Sequence, residues 1–213
     1  MPRKLAPLSS NFDWSRLRLW LALALGAVFF CFIFCMSVGA YPLGLDQVLR
    51  SLLHGTSPET VDQIVWELRM PRVCSAALSG AALGVAGAAF QSLLRNPLAD
   101  PFISGTSAGA GFGAALAIAL GLSGWAIPAC AFAMALAAVY SVYRLARVGP
   151  HMPLQTFLLA GVVVSSFLAS LVSVILLFAR QDLPRILFWL MGSFNHATWS
   201  NLQWLAPLTA VGC

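Results

Sequence analysis

Three stretches of this 213-residue chain contain no Asp, Glu, Lys or Arg: the windows between Arg18 and Asp46, between Arg72 and Arg95, and between Arg147 and Arg180. Each can hold one helix of the roughly 20 apolar residues needed to cross the hydrocarbon core of a bilayer. A fourth window, from Asp100 to Arg144, is long enough for two helices, with Gly121-Leu122-Ser123-Gly124-Trp125 and Pro128 supplying the turn. Nothing else in the sequence constrains the fold as strongly. A chain that is 60% hydrophobic and 9% charged is too apolar for a soluble domain, where about 25% of residues are charged. The windows predict five complete spans, at 18–39, 72–94, 105–121, 126–145 and 154–178, and the start of a sixth at 201–213. The expected fold class is therefore all-α, a polytopic transmembrane bundle in one partial domain covering 1–213.

The net charge of +5 comes without any basic run, so it reads as loop asymmetry across a membrane and not as a nucleic-acid footprint. The apolar stretch after Arg18 continues to about Gly39, too long for a cleaved signal, which implies an uncleaved first span with a cytoplasmic N-terminus. Alternating the loops from there puts Arg3, Lys4, Arg16, Arg18, Arg95, Arg144 and Arg147 inside, and Arg50, Arg69, Arg72, Arg180 and Arg185 outside. The excess lies inside, as expected. Segments 40–71 and 180–200 are then external, with Trp189 and Trp199 at headgroup level, while the 95–101 elbow and 146–153 are cytoplasmic. The sixth helix, at about 1.5 Å per residue, is too short to cross by residue 213, so the chain is expected to be the front part of a larger protein.

Within the spans, Gly80 and Gly84, and then Gly105, Gly109 and Gly113, recur every four residues. Small residues at this spacing let helix backbones pack closely in lipid. The elbow Arg95-Asn96-Pro97-Leu98-Ala99-Asp100-Pro101 ends the second span, because Pro97 lacks an N–H and disfavours helical geometry at Asn96, and Pro101 repeats the effect. Arg69 and Arg72 flank Pro71 at the external mouth of that span. They fit either interfacial snorkelling or docking onto an acidic partner. Ser166, Ser170 and Ser173 share one face of the fifth span. They fit either hydrogen bonds to backbone carbonyls one turn back or a water-filled path. Gln91 is likewise either an interhelical hydrogen bond or a pathway residue.

Cys31, Cys35, Cys74, Cys130 and Cys213 have neither framework nor metal-site spacing, and no metal, cofactor or catalytic set is expected. Gly105-Thr106-Ser107-Ala108-Gly109 matches G-x-S-x-G, a motif that needs a strand–turn–helix context. An intramembrane serine hydrolase using Ser107 is the alternative function in another class. A membrane fragment that associates through its glycine faces and moves nothing is a third.

The segments RMPR (69–72), GAALGVAGAAFQ (80–91), RNPLADP (95–101) and GTSAGA (105–110) together resemble the FecCD/BtuC-type permeases, the membrane subunits of ABC importers for iron-siderophores, haem and vitamin B12. LLAGV (158–162) and WLMGSF (189–194) are similar to later blocks of that family in order and spacing. The resemblance covers about 20–213. It implies a ten-helix permease that pairs with a second permease subunit in the bacterial inner membrane. A periplasmic substrate-binding protein and two cytoplasmic ATPase subunits would complete the importer. It implies that the permease is not itself an enzyme, and the sequence accordingly has no Walker A pattern. It also implies that Arg69 and Arg72 receive acidic residues of the binding protein, and that the fifth helix lines the path. The expected cargo is a ferric siderophore or related metal chelate, selected largely by the binding protein. The family's coupling segment and last four helices would lie beyond residue 213, so the expectation is a fragment unable to transport alone.

Overall fold

The computed structural model describes residues 14–54, 60–97, 100–149 and 151–212. Arg3, Lys4, Leu98, Ala99 and Cys213 lie outside the described residues. The regular secondary structure among the described residues is helical, apart from one isolated β-bridge between Val148 and His151. The helices are α1 (Trp14–Ser37), α2 (Leu45–His54), α3 (Thr60–Gln63), α4 (Met70–Leu94), α5 (Thr106–Ala119), α6 (Ala126–Ala146), α7 (Leu154–Phe178), α8 (Leu183–Met191) and α9 (Trp199–Gly212). A π-helical turn, Ile64–Arg69, runs directly into α4, and a 3-10 turn, Pro101–Ser104, precedes α5.

Among the described residues, four helical segments are long and apolar enough to cross a membrane: Trp14–Ser37, Thr60–Leu94, Ala126–Ala146 and Leu154–Phe178. The sequence expected a fifth full span at 105–121. The structure instead gives α5 only 14 residues, about 21 Å of helix against a hydrocarbon core of about 30 Å. The reason is local: Gly105, at φ +80°, stays outside its start, and at the other end the helix stops at Ala119, before Leu120 and the left-handed Gly121 at φ +75°. The segment 40–71 carries α2, α3 and the π-helical turn that leads into α4.

The chain divides into two compact units. In the first, α1, α2, α3 and the π turn surround a small core of Met36, Leu43, Val48, Val65 and Met70. α2 is amphipathic: Val48 and Ser51 are buried while Leu45, Leu49 and Leu53 face outward. α1 buries only Met36, so nearly its whole apolar surface suits lipid or other helices.

In the second unit, α5, α6 and α7 pack around two cores. Ala138, Val142, Ala146, Phe157, Ala160, Val164 and Leu168 form one, on the side of the elbow. Ala114, Ala115, Ala117, Ile118, Ile127, Ala131 and Ile186 form the other. Alanine and glycine dominate because α5 lies directly on α6: a Cβ at Gly109 would meet the Met134 carbonyl oxygen at 2.6 Å, and one at Gly113 would overlap the Cys130 carbonyl. In an apolar solvent such backbone proximity is what holds helices together.

Candidate functional site

The beginning of α4 is shaped by Pro71. Without an N–H it cannot continue the hydrogen-bond ladder, and its ring crowds the preceding turn. The helix widens just before it, and the Met70 N–H reaches Val65 O in the π pattern. In that pattern the next donor would be residue 71 and its acceptor Trp66 O, so Trp66 O is left without a ladder partner. The Trp199 indole N–H fills the place at 2.8 Å. The Trp66 indole in turn donates to Ser51 O on α2 at 3.1 Å.

Arg69 closes the π turn, and its side chain turns inward. It is 9% exposed. Its Nη1 donates to Met36 O, in the last turn of α1, and its Nη2 to Tyr41 O, in the α1–α2 connection. A Cβ on Gly39 would lie 2.8 Å from Nη2, so a side chain there would intrude on the guanidinium. Arg72, one turn further along, is half-buried. The two arginines, equivalent by sequence, therefore sit in different environments.

The other end of α4 is closed by a Schellman motif. Arg95 adopts the left-handed conformation at φ +50°. The Asn96 N–H bonds Gln91 O at 3.1 Å and the Arg95 N–H bonds Ser92 O at 3.3 Å, the two-bond pattern of that motif. Pro97 follows. The chain re-enters at Asp100, whose Oδ1 accepts from Phe102 N at 2.8 Å and so caps the 3-10 turn that Pro101 begins. Ser104 is fully buried and donates to Pro101 O at 2.6 Å. This turn is wedged against α7, where a Cβ at Gly161 would overlap the Ile103 carbonyl oxygen. Non-helical backbone in an apolar bundle is tolerated only where protein covers it, and Gly161 provides that cover.

Between α4 and the elbow lies a groove of about 380 Å³ lined by Leu83, Gly87, Gln91, Pro97, Asp100, Pro101 and Phe102. Gln91 is exposed and faces this groove. Gly80 and Gly84 are different from Gly109 and Gly113: a Cβ on either would meet nothing within 4 Å, so none of the described residues packs against that side of α4.

One face of α7, with Phe157, Ala160, Gly161, Val164 and Leu168, is buried in the bundle, while Ser166, Ser170 and Ser173 are exposed among the exposed Val163, Phe167 and Val174. Ser170 Oγ donates to Ser166 O at 2.9 Å and Ser173 Oγ to Ala169 O at 3.0 Å. Each of these two serines hydrogen-bonds one turn back and leaves its oxygen lone pairs available on the open face.

Ser107 stands in the first turn of α5, reached through a 3-10 turn and not a strand. The nucleophile-elbow context is missing, and the hydrolase reading has no support. Among the described residues no three His, Cys, Asp or Glu side chains come together as a metal site.

Gly161, Trp66, Trp199 and Asp100 were not singled out by sequence as site residues. Pro71 within an apolar helix signals an orphaned carbonyl, but the donor that fills it is 133 residues away and carries no local signal.

The chain matches the FecCD transport family over residues 27–213. It is 37% identical over 190 residues to an uncharacterised ABC transporter permease protein of Bacillus subtilis, YvrB, covering 83% of this chain and 54% of that protein. It is 37% identical over 156 residues to the cobalamin import system permease protein BtuC of Halobacterium salinarum, covering 73% of this chain and 42% of the relative. A solved ABC transporter in an inward-facing conformation, described as of metal-chelate type, superposes with a TM-score of 0.72 at 26% identity, covering 91% of this chain and 58% of that one. The chain thus spans about half the length of the relatives it matches. With the match extending over most of its residues, this chain belongs to the FecCD transport family.

Proposed function

We propose that this chain forms part of the membrane-spanning permease of a binding-protein-dependent ABC importer that carries a metal chelate of the ferric-siderophore or cobalamin kind. Family membership supports the transport role. The observation that carries the pathway assignment is the asymmetry of α7. One face is buried in the bundle, while the face bearing Ser166, Ser170 and Ser173, set among the exposed Val163, Phe167 and Val174, is left open. A row of hydroxyls on an otherwise apolar helix suits a wet path along which a polar chelate slides without tight binding. Gln91 belongs to the same reading at the elbow end.

In this reading the permease is not an enzyme. Two cytoplasmic ATPase subunits supply the energy, a second permease subunit completes the path, and a periplasmic binding protein delivers the chelate. The protein resides in the bacterial inner membrane with its N-terminus inside, so the elbow at 95–101 faces the cytoplasm. The Arg69–Arg72 end of α4 faces the periplasm and receives the acidic surface of the binding protein. Gly80 and Gly84, uncovered here, are a packing face for further permease helices.

The test is uptake. A strain deleted for the permease gene and complemented with it should recover ATP-dependent accumulation of one radiolabelled chelate, a ferric siderophore or cobalamin. Complemented cells that accumulate neither above the deletion background would contradict the transport reading.

A further inference from the structure

We propose that the end of α6 formed by Tyr140, Arg144 and Arg147 binds the headgroup of an anionic phospholipid, with an acyl chain lying along Leu136 and Phe132.

The site follows from one stripe of the helix. Residues four apart share a face, and Phe132, Leu136, Tyr140 and Arg144 stand at that spacing on α6. All four are exposed, the first three by more than half of their surface. The buried face of α6 carries Ala131, Ala135, Ala138, Val142 and Ala146 instead. Along the stripe the chemistry passes from hydrocarbon to a phenol to a guanidinium, the order in which a leaflet passes from acyl chain to phosphate. The lengths agree. α6 has 21 residues, about 30 Å of helix, against a hydrocarbon core of about 30 Å. Leu136 is its middle residue, so the run from Leu136 to Arg144 covers about 12 Å, most of one leaflet.

The charge at that end calls for an anion. Side chains lean back towards the start of their helix. The Arg144 guanidinium accordingly lies over the Tyr140 ring, 5.9 Å from its centroid, and Nη1 donates to the Tyr140 hydroxyl at 3.4 Å. It is held on the hydrocarbon side of the helix end, where a charge without a counter-ion is costly. Arg147 donates from Nε to Gly149 O at 2.9 Å, and its two terminal nitrogens have no acceptor among the described residues. Neither guanidinium is paired with a carboxylate among those residues. The planar fork of arginine matches two phosphate oxygens at once. A phosphodiester with net negative charge meets these demands, whereas a zwitterionic headgroup brings a cation of its own.

The experiment uses the full-length permease in lipid nanodiscs, with its other cysteines replaced and a bimane label on Leu136→Cys. Quenching of the label by phospholipids brominated in the acyl chain is compared for phosphatidylglycerol and phosphatidylcholine. Phosphatidylglycerol is expected to be favoured at the label about fivefold or more, the scale of one arginine at an anionic surface. Arg144→Gln and Arg147→Gln should each lower that preference several-fold, and together bring it close to one. Tyr140→Leu, which removes the ring under Arg144, should lower it about twofold. Quenching by phosphatidylcholine should stay unchanged in these variants, which shows that the helix is still in place. Salt tests the same attraction without any of these substitutions: the preference should shrink in about 1 M salt, where charges are screened within about 3 Å. Equal quenching by the two lipids, or a preference that survives the double variant or high salt, overturns the site. Quenching by neither lipid also overturns it, and gives this face of α6 to further helices of the permease.

Discussion

The Trp199 indole N–H donates to the Trp66 carbonyl oxygen at 2.8 Å, and that oxygen is the one Pro71 cannot serve. A break in the ladder of one helix is thereby mended by a side chain from the start of α9. Trp199→Phe keeps the ring and removes the donor. It is expected to destabilise the protein by about 1–3 kcal/mol, the cost of an unsatisfied carbonyl. Pro71→Ala restores an N–H at that point, so the same Phe substitution should cost less in the Pro71→Ala background. Thermal melts of the four proteins in one detergent give the coupling energy. Equal losses in both backgrounds would count against the link between Pro71 and Trp199.

Gly161 and Gly84 separate two kinds of glycine. A Cβ at Gly161 overlaps the Ile103 carbonyl, whereas one at Gly84 meets nothing within 4 Å. Gly161→Ala should destabilise by about 1–3 kcal/mol through overpacking. Gly84→Ala should leave the isolated chain unharmed or stabilise α4 by about 0.5–1 kcal/mol. In the assembled transporter Gly84→Ala should cost activity if that face packs on further helices. Melting curves of this chain and uptake by the whole transporter check the two halves.

Sequence reading was strong where a rule acts locally. α7 runs Leu154–Phe178, the same bounds as the expected fifth span, because long apolar runs have little alternative to helix in lipid. The turn at 95–101 was legible from its prolines, although the Schellman bonds and the left-handed Arg95 that actually close α4 were not. α2 escaped notice because its alternation of Leu, Asp and Arg does not resemble a span. The short α5 escaped notice because apolar content does not reveal that the helix stops at Ala119, before the left-handed Gly121. The inward turn of Arg69 could not be read at all: it depends on carbonyls 28 and 33 residues away.

Arg95 at φ +50° carries a backbone conformation that costs an L-residue about 1–2 kcal/mol. Arg95→Gly is expected to raise the stability of the α4–elbow junction by about 0.5–1 kcal/mol. Differential scanning fluorimetry of the purified protein reads the change. A fall in the melting temperature would mean that the Arg95 side chain makes a stabilising contact larger than its strain.

Asp100 caps the 3-10 turn through Phe102 N. Asp100→Ala should cost about 0.5–2 kcal/mol, and Asp100→Asn, which retains a side-chain acceptor, clearly less. Hydrogen exchange at Phe102 and Ile103 should rise in the first variant and stay near wild type in the second.

The most direct test of the transport path is a single cysteine on the open face of α7. The transporter, with Cys31, Cys35, Cys74, Cys130 and Cys213 replaced by serine or alanine, is reconstituted with its ATPase and binding protein. It is given Ser170→Cys in one preparation and Leu168→Cys, from the buried face, in another. ATP-dependent chelate uptake is measured before and after treatment with a bulky water-soluble thiol reagent. A serine-lined path predicts that Ser170→Cys transports normally, is blocked by the reagent, and is protected by the chelate, while Leu168→Cys does not react. Full uptake after complete labelling at Ser170→Cys would contradict it.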